Sequence, residues 1–292
     1  MVSGRHINLT PVVIDTYFKY KLMRIFHISD AHFGNERPAF AWHPLKNAFN
    51  DYRDVFAQDD TYFVVSGDIT LKGNIDGYKQ AQNFFKEVWL DNGGGRDRFI
   101  ACPGNHDICD NKFDAFDTFV SEMRRDNLLN FEKSSTNFVD FEKVTFLSIN
   151  SADHRDREYG FIDLAEMQRK LEIEKLTRSA KKQRIAVVHH NIFGIHKSDS
   201  SAIRNSLALV ALLDEHKFNV ILHGHQHSQT VVALGSNQIK LFAGRSLNFS
   251  SPGLINGLSE LIYDNGSWNR ISRVLSSDNS ATQQLKFKYL ET

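Results

Sequence analysis

The chain has 292 residues, and its 35 lysines and arginines balance its 35 aspartates and glutamates, so the formal net charge is zero. Hydrophobic residues make up 41% and charged residues 24% of the sequence, which excludes an intrinsically disordered chain and indicates a globular one. No run approaches about 18 apolar residues. The apolar run at residues 9–14 is interrupted by a proline, so we expect neither a membrane segment nor a signal peptide.

Cys102 and Cys109 are the only cysteines in the sequence. They are too few for a disulfide framework, so the cysteine content fits a reducing compartment and we expect a cytoplasmic protein. The zero net charge disfavours a protein that binds nucleic acid through its whole surface, although a local basic groove would still allow such binding. The length suffices for one large domain or two smaller ones.

The first two thirds of the chain alternate between short β-type runs, each followed by a polar or glycine-bearing turn, and segments of helical periodicity. The predicted strands span residues 22–28, 61–65, 98–101, 144–149, 184–188 and 219–222. The predicted helices span residues 45–56, 76–90, 114–127, 164–177 and 202–216. Strands that alternate with helices of this length are typical of an α/β fold with a parallel or mixed sheet.

Beyond His227 the pattern changes, because short strands follow one another without intervening helices. They span residues 229–234, 239–243, 258–263 and 268–274. We expect them to form a second, largely antiparallel sheet that completes one domain over residues 22–275. Residues 1–21 then form an N-terminal extension. Residues 276–292 form a C-terminal tail, whose alternating LKFKYL segment is either a late edge strand or loose.

Residues able to bind metals follow five of the predicted strands. They are Asp30 and His32 after the first strand, Asp68 after the second, Asn105 after the third, His189 after the fifth, and His225 and His227 after the sixth. In open α/β sheets, the loops beyond the carboxyl ends of the strands border one crevice, so we expect these side chains to share a single site. One such motif alone carries little weight, whereas five in this order, each closing an apolar run, indicate a metal site together.

This predicted ligand set consists of two carboxylates, one amide oxygen and four imidazoles. A single divalent ion rarely takes so many ligands, whereas two ions that share a bridging carboxylate take about this number. Two ions about 3.5–4 Å apart form a clamp for displacement at phosphorus. The mixture of nitrogen and oxygen ligands favours Mn²⁺, with Fe or Zn as alternatives, over Ca²⁺ or Mg²⁺. In an extended segment, each i, i+2 pair (Asp30 with His32, His225 with His227) would point to one face.

In their order along the chain, the motifs DAH, GD, GNHD, HH and GHQH resemble those of the calcineurin-like metallophosphoesterase superfamily over about residues 22–250. The resemblance implies a four-layer α/β/β/α sandwich of two mixed β-sheets flanked by helices, with a binuclear metal centre at the sheet ends. It also implies two ligand sets bridged by Asp68, namely Asp30, His32 and His227 for one ion and Asn105, His189 and His225 for the other. His189 is preferred to His190 because it directly follows the strand.

The GNHD motif carries two further expectations through the same resemblance. His106 matches a histidine that lies near the metals, contacts the phosphate and protonates the leaving group. Asp107 would orient that histidine. A hydroxide that bridges the two ions, held by Asp68, would attack the phosphorus atom.

The segment GDITLKGNIDGYKQAQNFF is similar to the class III cyclic-nucleotide phosphodiesterase branch of the superfamily. This similarity implies a phosphodiesterase whose substrate is a cyclic or small nucleotide. The branch carries two prolines after its histidine pair, where this chain has Asn191 and Ile192, so the identity of the nucleotide stays open. Lys197 and Arg204 in the loop that follows would either contact a phosphate or be solvated charges.

Other functions stay open at the level of the sequence. A nuclease acting on DNA or RNA with the same centre would need a basic channel, for which residues 96–98, 124–125 and 181–184 are candidates. Such runs are more often solvated surface. A phosphomonoesterase is a less favoured alternative. A non-catalytic binding module is disfavoured because every expected ligand position is filled. The sequence leaves the oligomeric state and any partner protein open.

Overall fold

The computed structural model of the protein describes residues 22–173, 182–194, 199–227, 230–277 and 284–290. The strands in these residues form two six-stranded sheets. In chain order they are β1 Met23–Ile28, β2 Thr61–Ser66, β3 Phe99–Cys102, β4 Thr136–Asp140, β5 Val144–Ile149, β6 Gln183–Val188, β7 Val220–His223, β8 Val231–Leu234, β9 Ile239–Ala243, β10 Gly257–Asp264, β11 Ser267–Ser277 and β12 Leu285–Tyr289.

Both sheets are mixed. Sheet 1 has the order β12-β11-β10-β1-β2-β3, in which β1 to β3 are parallel and β10 to β12 are antiparallel to their neighbours. Sheet 2 has the order β4-β5-β6-β7-β9-β8, with four parallel central strands and an antiparallel strand at each edge. Within each sheet, the carboxyl ends of the parallel strands therefore lie at one edge, where loops can share a site.

The helices cover the outer faces of the sheets. They are α1 Trp42–Ala48, α2 Arg53–Phe56, α3 Ile75–Phe85, α4 Asp114–Arg124, α5 Leu164–Ile173 and α6 Ser206–Glu215. A 3-10 turn over Phe49–Tyr52 joins α1 to α2, and a π-helical turn over Lys86–Leu90 extends α3. Among the helices described, none combines the length and apolarity needed to cross a membrane.

The alternation of side chains along β6 shows how the layers stack. Ile185 and Val187 belong to the large core shared with sheet 1, whereas Ala186 and Val188 belong to a second core with α5 and α6. Successive strand residues point to opposite faces, so a strand buried on both sides reads as a continuous apolar run. The result is the predicted four-layer sandwich of two mixed sheets flanked by helices, which is confirmed.

The phenylalanines explain much of the packing on the other side of the molecule. Phe26, Phe63 and Phe99 lie side by side on the three parallel strands of sheet 1, and all are fully buried. Trp89, from the π-helical turn, and Phe85, the last residue of α3, pack over Phe63 with ring centroids 5.5 Å and 5.9 Å away. These phenylalanines therefore form part of a core beneath the helices.

The expectation of a separate antiparallel sheet after His227 is wrong. β8 and β9 join sheet 2, whereas β10 to β12 cross to sheet 1 and pair beside β1. Periodicity shows that a segment is a strand but does not encode its partner, and here the last three strands extend the first sheet. LKFKYL contributes β12, which pairs with β11, as the edge-strand alternative expects. The domain limits stay a prediction, and residues 1–21 lie outside the described residues.

Two smaller differences concern single elements. β4 was not predicted, because its sequence TNFVD is mostly polar and its pairing with β5 is on an open edge. The single helix expected over residues 45–56 is divided by the 3-10 turn into two short helices. Of the helix expected over residues 164–177, the part after Ile173 lies outside the described residues.

Candidate metal centre

Loops from both sheets meet at the carboxyl ends of the parallel strands. Backbone hydrogen bonds join the first two loops, from Asp30 N–H to the Gly67 carbonyl at 3.1 Å and from His32 N–H to the Asp68 carbonyl at 3.0 Å. In sheet 2, the Gly224 N–H donates to the His189 carbonyl at 3.0 Å. These backbone bonds hold together the loops at the end of each sheet.

Most of the predicted ligands have left-handed backbones. The φ angles are 52° at Asp30, 52° at His32, 51° at Asp68, 70° at His225 and 51° at His227. The expectation that each i, i+2 pair lies on an extended segment is therefore wrong, because the chain turns sharply as it leaves each strand. Left-handed non-glycine residues are uncommon and cluster at functional sites, where the surrounding structure holds them in place.

The first group of candidate ligands contains Asp30, His32 and His227. Oδ1 of Asp30 lies 3.1 Å from Nε2 of His227 and 3.9 Å from Nε2 of His32. The other oxygen of Asp30, Oδ2, accepts a hydrogen bond from the His225 N–H at 3.1 Å, which aims Oδ1 at the imidazoles. Asp30 and His32 are buried, so Oδ1 of Asp30 and Nε2 of His32 face each other away from bulk water.

The second group contains Asp68, His189 and His225, with Asn105 beside them. Nε2 of His189 lies 3.3 Å from Oδ2 of Asp68, 3.1 Å from Nδ1 of His225 and 3.1 Å from Oδ1 of Asn105. The Asn105 amide donates from Nδ2 to the carbonyl of Arg157 at 3.1 Å, and this leaves its oxygen facing the group. Four atoms that could bind a cation, one from each of these side chains, thus lie close together.

Asp68 lies between the two groups. The same oxygen, Oδ2, is 3.9 Å from Nε2 of His32 in the first group and 3.3 Å from Nε2 of His189 in the second. Oδ1 of Asp68 accepts the His106 N–H at 2.8 Å, which fixes the carboxylate plane. The structure therefore brings together all seven predicted ligands, with Asp68 in the position that a bridging ligand would take.

The histidine pair after β6 separates into two roles. The Ser66 carbonyl can only accept, so Nδ1 of His189 donates to it at 2.8 Å and Nε2 is the ring nitrogen that faces the group. His190 instead shares a hydrogen bond of 2.7 Å between Nδ1 and the Ser151 hydroxyl. The structure thus places His189, the preferred residue of the pair, among the candidate ligands.

The donor set fits divalent cations. Both ring nitrogens of His32 are buried without a hydrogen-bond partner among the described residues. A buried polar atom without a partner is costly, and a cation bound at Nε2 would satisfy it. At Gly104, a Cβ atom would lie 2.2 Å from Oδ1 of Asp68, so only glycine lets this loop approach the carboxylate. Imidazole, carboxylate and amide ligands in this number suit ions that accept both nitrogen and oxygen.

The protonation states of the imidazoles follow from burial and from the two carboxylates. Burial lowers the pKa of His32 and of His225 to about 4, so both imidazoles are neutral at ordinary pH. Burial opposes charge on His189 as well, but the Asp68 carboxylate outweighs it and raises the pKa of His189 to about 9. The same contact holds the pKa of Asp68 well below its usual value. Without metal, the centre therefore contains a His189–Asp68 ion pair.

Loading metal-free protein with Mn²⁺ at pH 7.5 should release at least about one proton per chain, because His189 must lose its Nε2 proton before it can bind a cation. The release should disappear as the pH rises through the His189 pKa of about 9. Calorimetric titrations in two buffers of different ionisation enthalpy measure the proton count. No release at pH 7.5 would contradict this assignment.

The same ion pair contributes to the free energy of unfolding of the metal-free protein. The contribution is complete below the ordinary histidine pKa of 6.5 and is lost as the pH rises towards 9.

His106 lies at the edge of the centre. Its ring packs edge-on against the His32 ring at 5.1 Å, it is half-buried, and its Nδ1 has no hydrogen-bond partner among the described residues. Its backbone, through the bond to Asp68, positions the carboxylate between the two groups. The side chain thus borders the first group of candidate ligands.

The expected contact between Asp107 and the His106 ring is wrong. The Asp107 carboxylate accepts the N–H groups of Gly104, Ile69 and Thr70 at 3.0–3.2 Å. These bonds tie the GNHD loop to the GD loop, and burial together with the nearby Asp68 raises the pKa of Asp107 to about 7. Asp107 therefore positions the two loops, since its side chain turns back into the protein, away from the ring.

Two site features were missed by sequence reasoning. The Phe249 ring packs at 5.0 Å from the His32 ring and at 4.7 Å from the His227 ring, and so forms a wall beside the first group. Ser246 donates from its hydroxyl to the Asp30 carbonyl at 2.8 Å. Both follow β9 at a distance from any motif, and the sequence carries no signal that would have identified them.

The charged residues singled out in the sequence have other partners. Arg204 stacks on the Tyr159 ring at 3.2 Å, and Lys197 lies outside the described residues. In the candidate basic clusters, Arg124 is buried and pairs with Asp126 at 2.8 Å, and Lys182 pairs with Asp140 at 2.5 Å. These contacts do not favour a continuous basic channel.

Comparisons with known proteins agree with this geometry. The family described as Calcineurin-like phosphoesterase matches residues 23–229. A protein of Ruthia magnifica subsp. Calyptogena magnifica, named "Probable cyclic nucleotide phosphodiesterase", is 28% identical over 244 residues, which cover 82% of this chain and 93% of that protein. A protein of the same name from Vesicomyosocius okutanii subsp. Calyptogena okutanii is 26% identical over 207 residues, which cover 70% of this chain and 78% of that protein.

Solved structures show the same fold at low sequence identity. A dimetal phosphatase from Danio rerio superposes with a TM-score of 0.61 at 11% identity, over 91% of this chain and 96% of that one. An NAD nucleotidase from Haemophilus influenzae superposes with a TM-score of 0.52 at 11% identity, over 93% of this chain and 54% of that one. At this identity, the likeness concerns the arrangement of the sheets and helices alone.

Proposed function

The chain belongs to the calcineurin-like phosphoesterase family, as its motifs predict, and is a metal-dependent phosphoesterase; from this premise we propose that it is a binuclear phosphodiesterase of cyclic or small nucleotides. The names of two relatives, both "Probable cyclic nucleotide phosphodiesterase", support the diester class of substrate. The site supports the binuclear part of the proposal.

The observation that carries the proposal is the position of Asp68. Its Oδ2 atom faces His32 in one ligand group and His189 in the other. A carboxylate oxygen that is shared in this way is what a pair of ions needs, whereas one ion would leave either His32 or His189 unused. We therefore assign Asp30, His32 and His227 to one ion, Asn105, His189 and His225 to the other, and Asp68 to both.

When bound, two divalent ions supply positive charge at the phosphate oxygens and lower the pKa of a water molecule to about 7. The chain's own residues supply the geometry. Asp30 and Asp68 are each held by a backbone N–H on one oxygen, so the other oxygen is preorganised. Asp107 fastens the two loops that carry Asp68 and Asn105.

His106 is proposed as the proton donor to the leaving oxygen. Its half-buried ring borders the first ligand group, and its Nδ1 makes no hydrogen bond within the described residues. A protonated imidazole in this position would neutralise the alkoxide as the P–O bond breaks. Since the leaving group of a cyclic nucleotide is a ribose alkoxide, this proton matters more for such a substrate than for an aryl ester.

Manganese and a cytoplasmic location belong to the same proposal. The four imidazoles and the carboxylates suit Mn²⁺, and Fe or Zn are the alternatives. Both cysteines are free, and Cys102 is buried, as expected of a protein in a reducing compartment. A nucleotide or another phosphodiester is the expected substrate.

The test is hydrolysis by protein that has been stripped of metal and reloaded with Mn²⁺. A generic aryl phosphodiester, an aryl phosphomonoester, 2′,3′- and 3′,5′-cyclic nucleotides and single-stranded DNA are compared at equal concentration, with metal-free protein as the blank. We expect metal-dependent cleavage of the diesters, with a cyclic nucleotide preferred. Preference for the monoester would indicate a phosphomonoesterase, and preference for DNA would indicate a nuclease. Inactivity of protein that holds two ions would exclude cyclic and small nucleotides as its substrates.

A further inference from the structure

A cavity lies at the edge of the sandwich, away from the candidate metal centre. It has a volume of about 300 Å³ and is lined by β8 and β9 of sheet 2 and by β11 and the end of β12 of sheet 1. None of the seven candidate metal ligands is among the lining residues. A cavity of this size is at the lower end of the range for sites that bind small organic molecules.

Two cations project from the strands that flank this cavity. Lys240 lies two positions before Phe242 on β9, and Arg270 lies two positions after Trp268 on β11. Residues two apart on a strand share a face. Phe242 and Trp268 belong to the core between the sheets, so Lys240 and Arg270 occupy positions on the same inward faces. Lys240 and Arg270 therefore occupy positions on these strands at which apolar side chains would be expected to pack into the core.

Among the described residues, the hydrogen-bond partners of these two cations are neutral. Nζ of Lys240 donates to the Trp268 carbonyl at 2.7 Å, and Nη1 of Arg270 donates to the Thr230 carbonyl at 3.0 Å. No Asp or Glu occurs among the described residues that line the cavity. Arg270 is half-buried, and this burial, together with nearby Arg245, lowers the pKa of Arg270 to about 10. Desolvated positive charge without a negative partner is costly, and an anion would compensate it.

The other walls of the cavity are apolar and partly aromatic. Val231, Phe242, Trp268 and Tyr289 line it, and Val231 and Tyr289 are exposed at its mouth. We propose that this cavity binds a small organic anion, with a phosphate or carboxylate between Lys240 and Arg270 and a planar apolar body against the aromatic side chains. Such a site is separate from the metal centre and does not depend on the proposed reaction.

The test is an equilibrium titration of the metal-loaded protein with phenylphosphonate, whose P–C bond is not hydrolysed, followed by calorimetry. Inorganic phosphate is a second probe that lacks the planar body. Lys240→Gln/Arg270→Gln removes both charges, and Lys286→Gln is the control, since Lys286 is an exposed lysine on the adjacent strand that does not line the cavity. Val232→Glu is a second variant, which adds a carboxylate at an exposed cavity position and leaves the core unchanged.

We expect the wild type to bind phenylphosphonate at a site that the double variant loses and the lysine control keeps. Val232→Glu should weaken the binding of phenylphosphonate at this site at least about tenfold, because the added carboxylate would pair with Lys240 and Arg270 and compete with the anion. Phosphate should bind the same site more weakly. Binding at the metal centre is counted separately, since it persists in all four proteins. Equal stoichiometry and affinity in the wild type, the double variant and Val232→Glu would overturn the proposal, as would the absence of any binding of phenylphosphonate outside the metal centre.

Discussion

Asp68→Asn should lower the kcat/KM for diester hydrolysis by about a thousandfold or more. The substitution keeps the size of the side chain but removes the negative charge that both ligand groups face through Oδ2. Loss of several kcal/mol of transition-state stabilisation corresponds to a decrease of this size, because each 1.4 kcal/mol is about tenfold. Asparagine also tolerates the left-handed backbone at this position, where φ is 51°, so we expect the fold to persist.

The control for this substitution is Asp76→Asn. Asp76 is an exposed carboxylate near the start of α3, and its contact is with Lys79 on the same helix. It should change kcat/KM by less than about twofold, since exposed pairs of this kind contribute little. Steady-state kinetics at saturating Mn²⁺, with circular dichroism to verify the fold, measure both variants. If Asp68→Asn kept most of the activity of the wild type, Asp68 would not hold the ions.

His106→Ala should lower kcat for a cyclic nucleotide by about a hundredfold or more and leave bound metal unchanged. His106 borders the first ligand group but is not one of the residues assigned to the ions, so its loss should affect proton transfer alone. The effect should be much smaller for a p-nitrophenyl diester, because nitrophenolate departs without a proton. That dependence on the leaving group distinguishes a proton donor from a residue that merely supports the loop.

His43→Ala is the matched control, since His43 is an exposed histidine at the start of α1, hydrogen-bonded to Asn47 on the same helix. This substitution should leave the rates of hydrolysis of both substrates unchanged. Rates on both diesters, together with metal content, are compared for the two variants. An equal loss on the two substrates, or a loss of metal from His106→Ala, would show that His106 acts through the fold of the centre.

The convergence of the candidate ligands could be predicted from the sequence because each candidate ligand follows an apolar run. Strands give a clear signal, and the carboxyl ends of parallel strands lie together, so Asp30, Asp68 and His189 are expected in one crevice even though they are far apart in the chain. Resemblance to a family then divided the set into two ion sites. The geometry of each loop was beyond this reasoning, and the left-handed turns at Asp30 and His32 were therefore mistaken for extended chain.

Other features could not be predicted because they depend on tertiary packing. The strands after His227 were recognised, but their division between the two sheets follows from packing, which periodicity does not encode. Asp107 was assigned to its neighbour in sequence, whereas its carboxylate accepts hydrogen bonds from the N–H groups of Ile69, Thr70 and Gly104 and from the Tyr78 hydroxyl. Phe249 reaches two ligand rings from a loop without any motif.

The most direct test of the binuclear centre is the metal content per chain. Protein that has been saturated with Mn²⁺ and freed of excess ion should contain two equivalents by elemental analysis. His227→Ala should keep the group around His189, and His225→Ala should keep the group around His32, so each variant should retain about one equivalent. One equivalent or none in the wild type would contradict two ions that share Asp68.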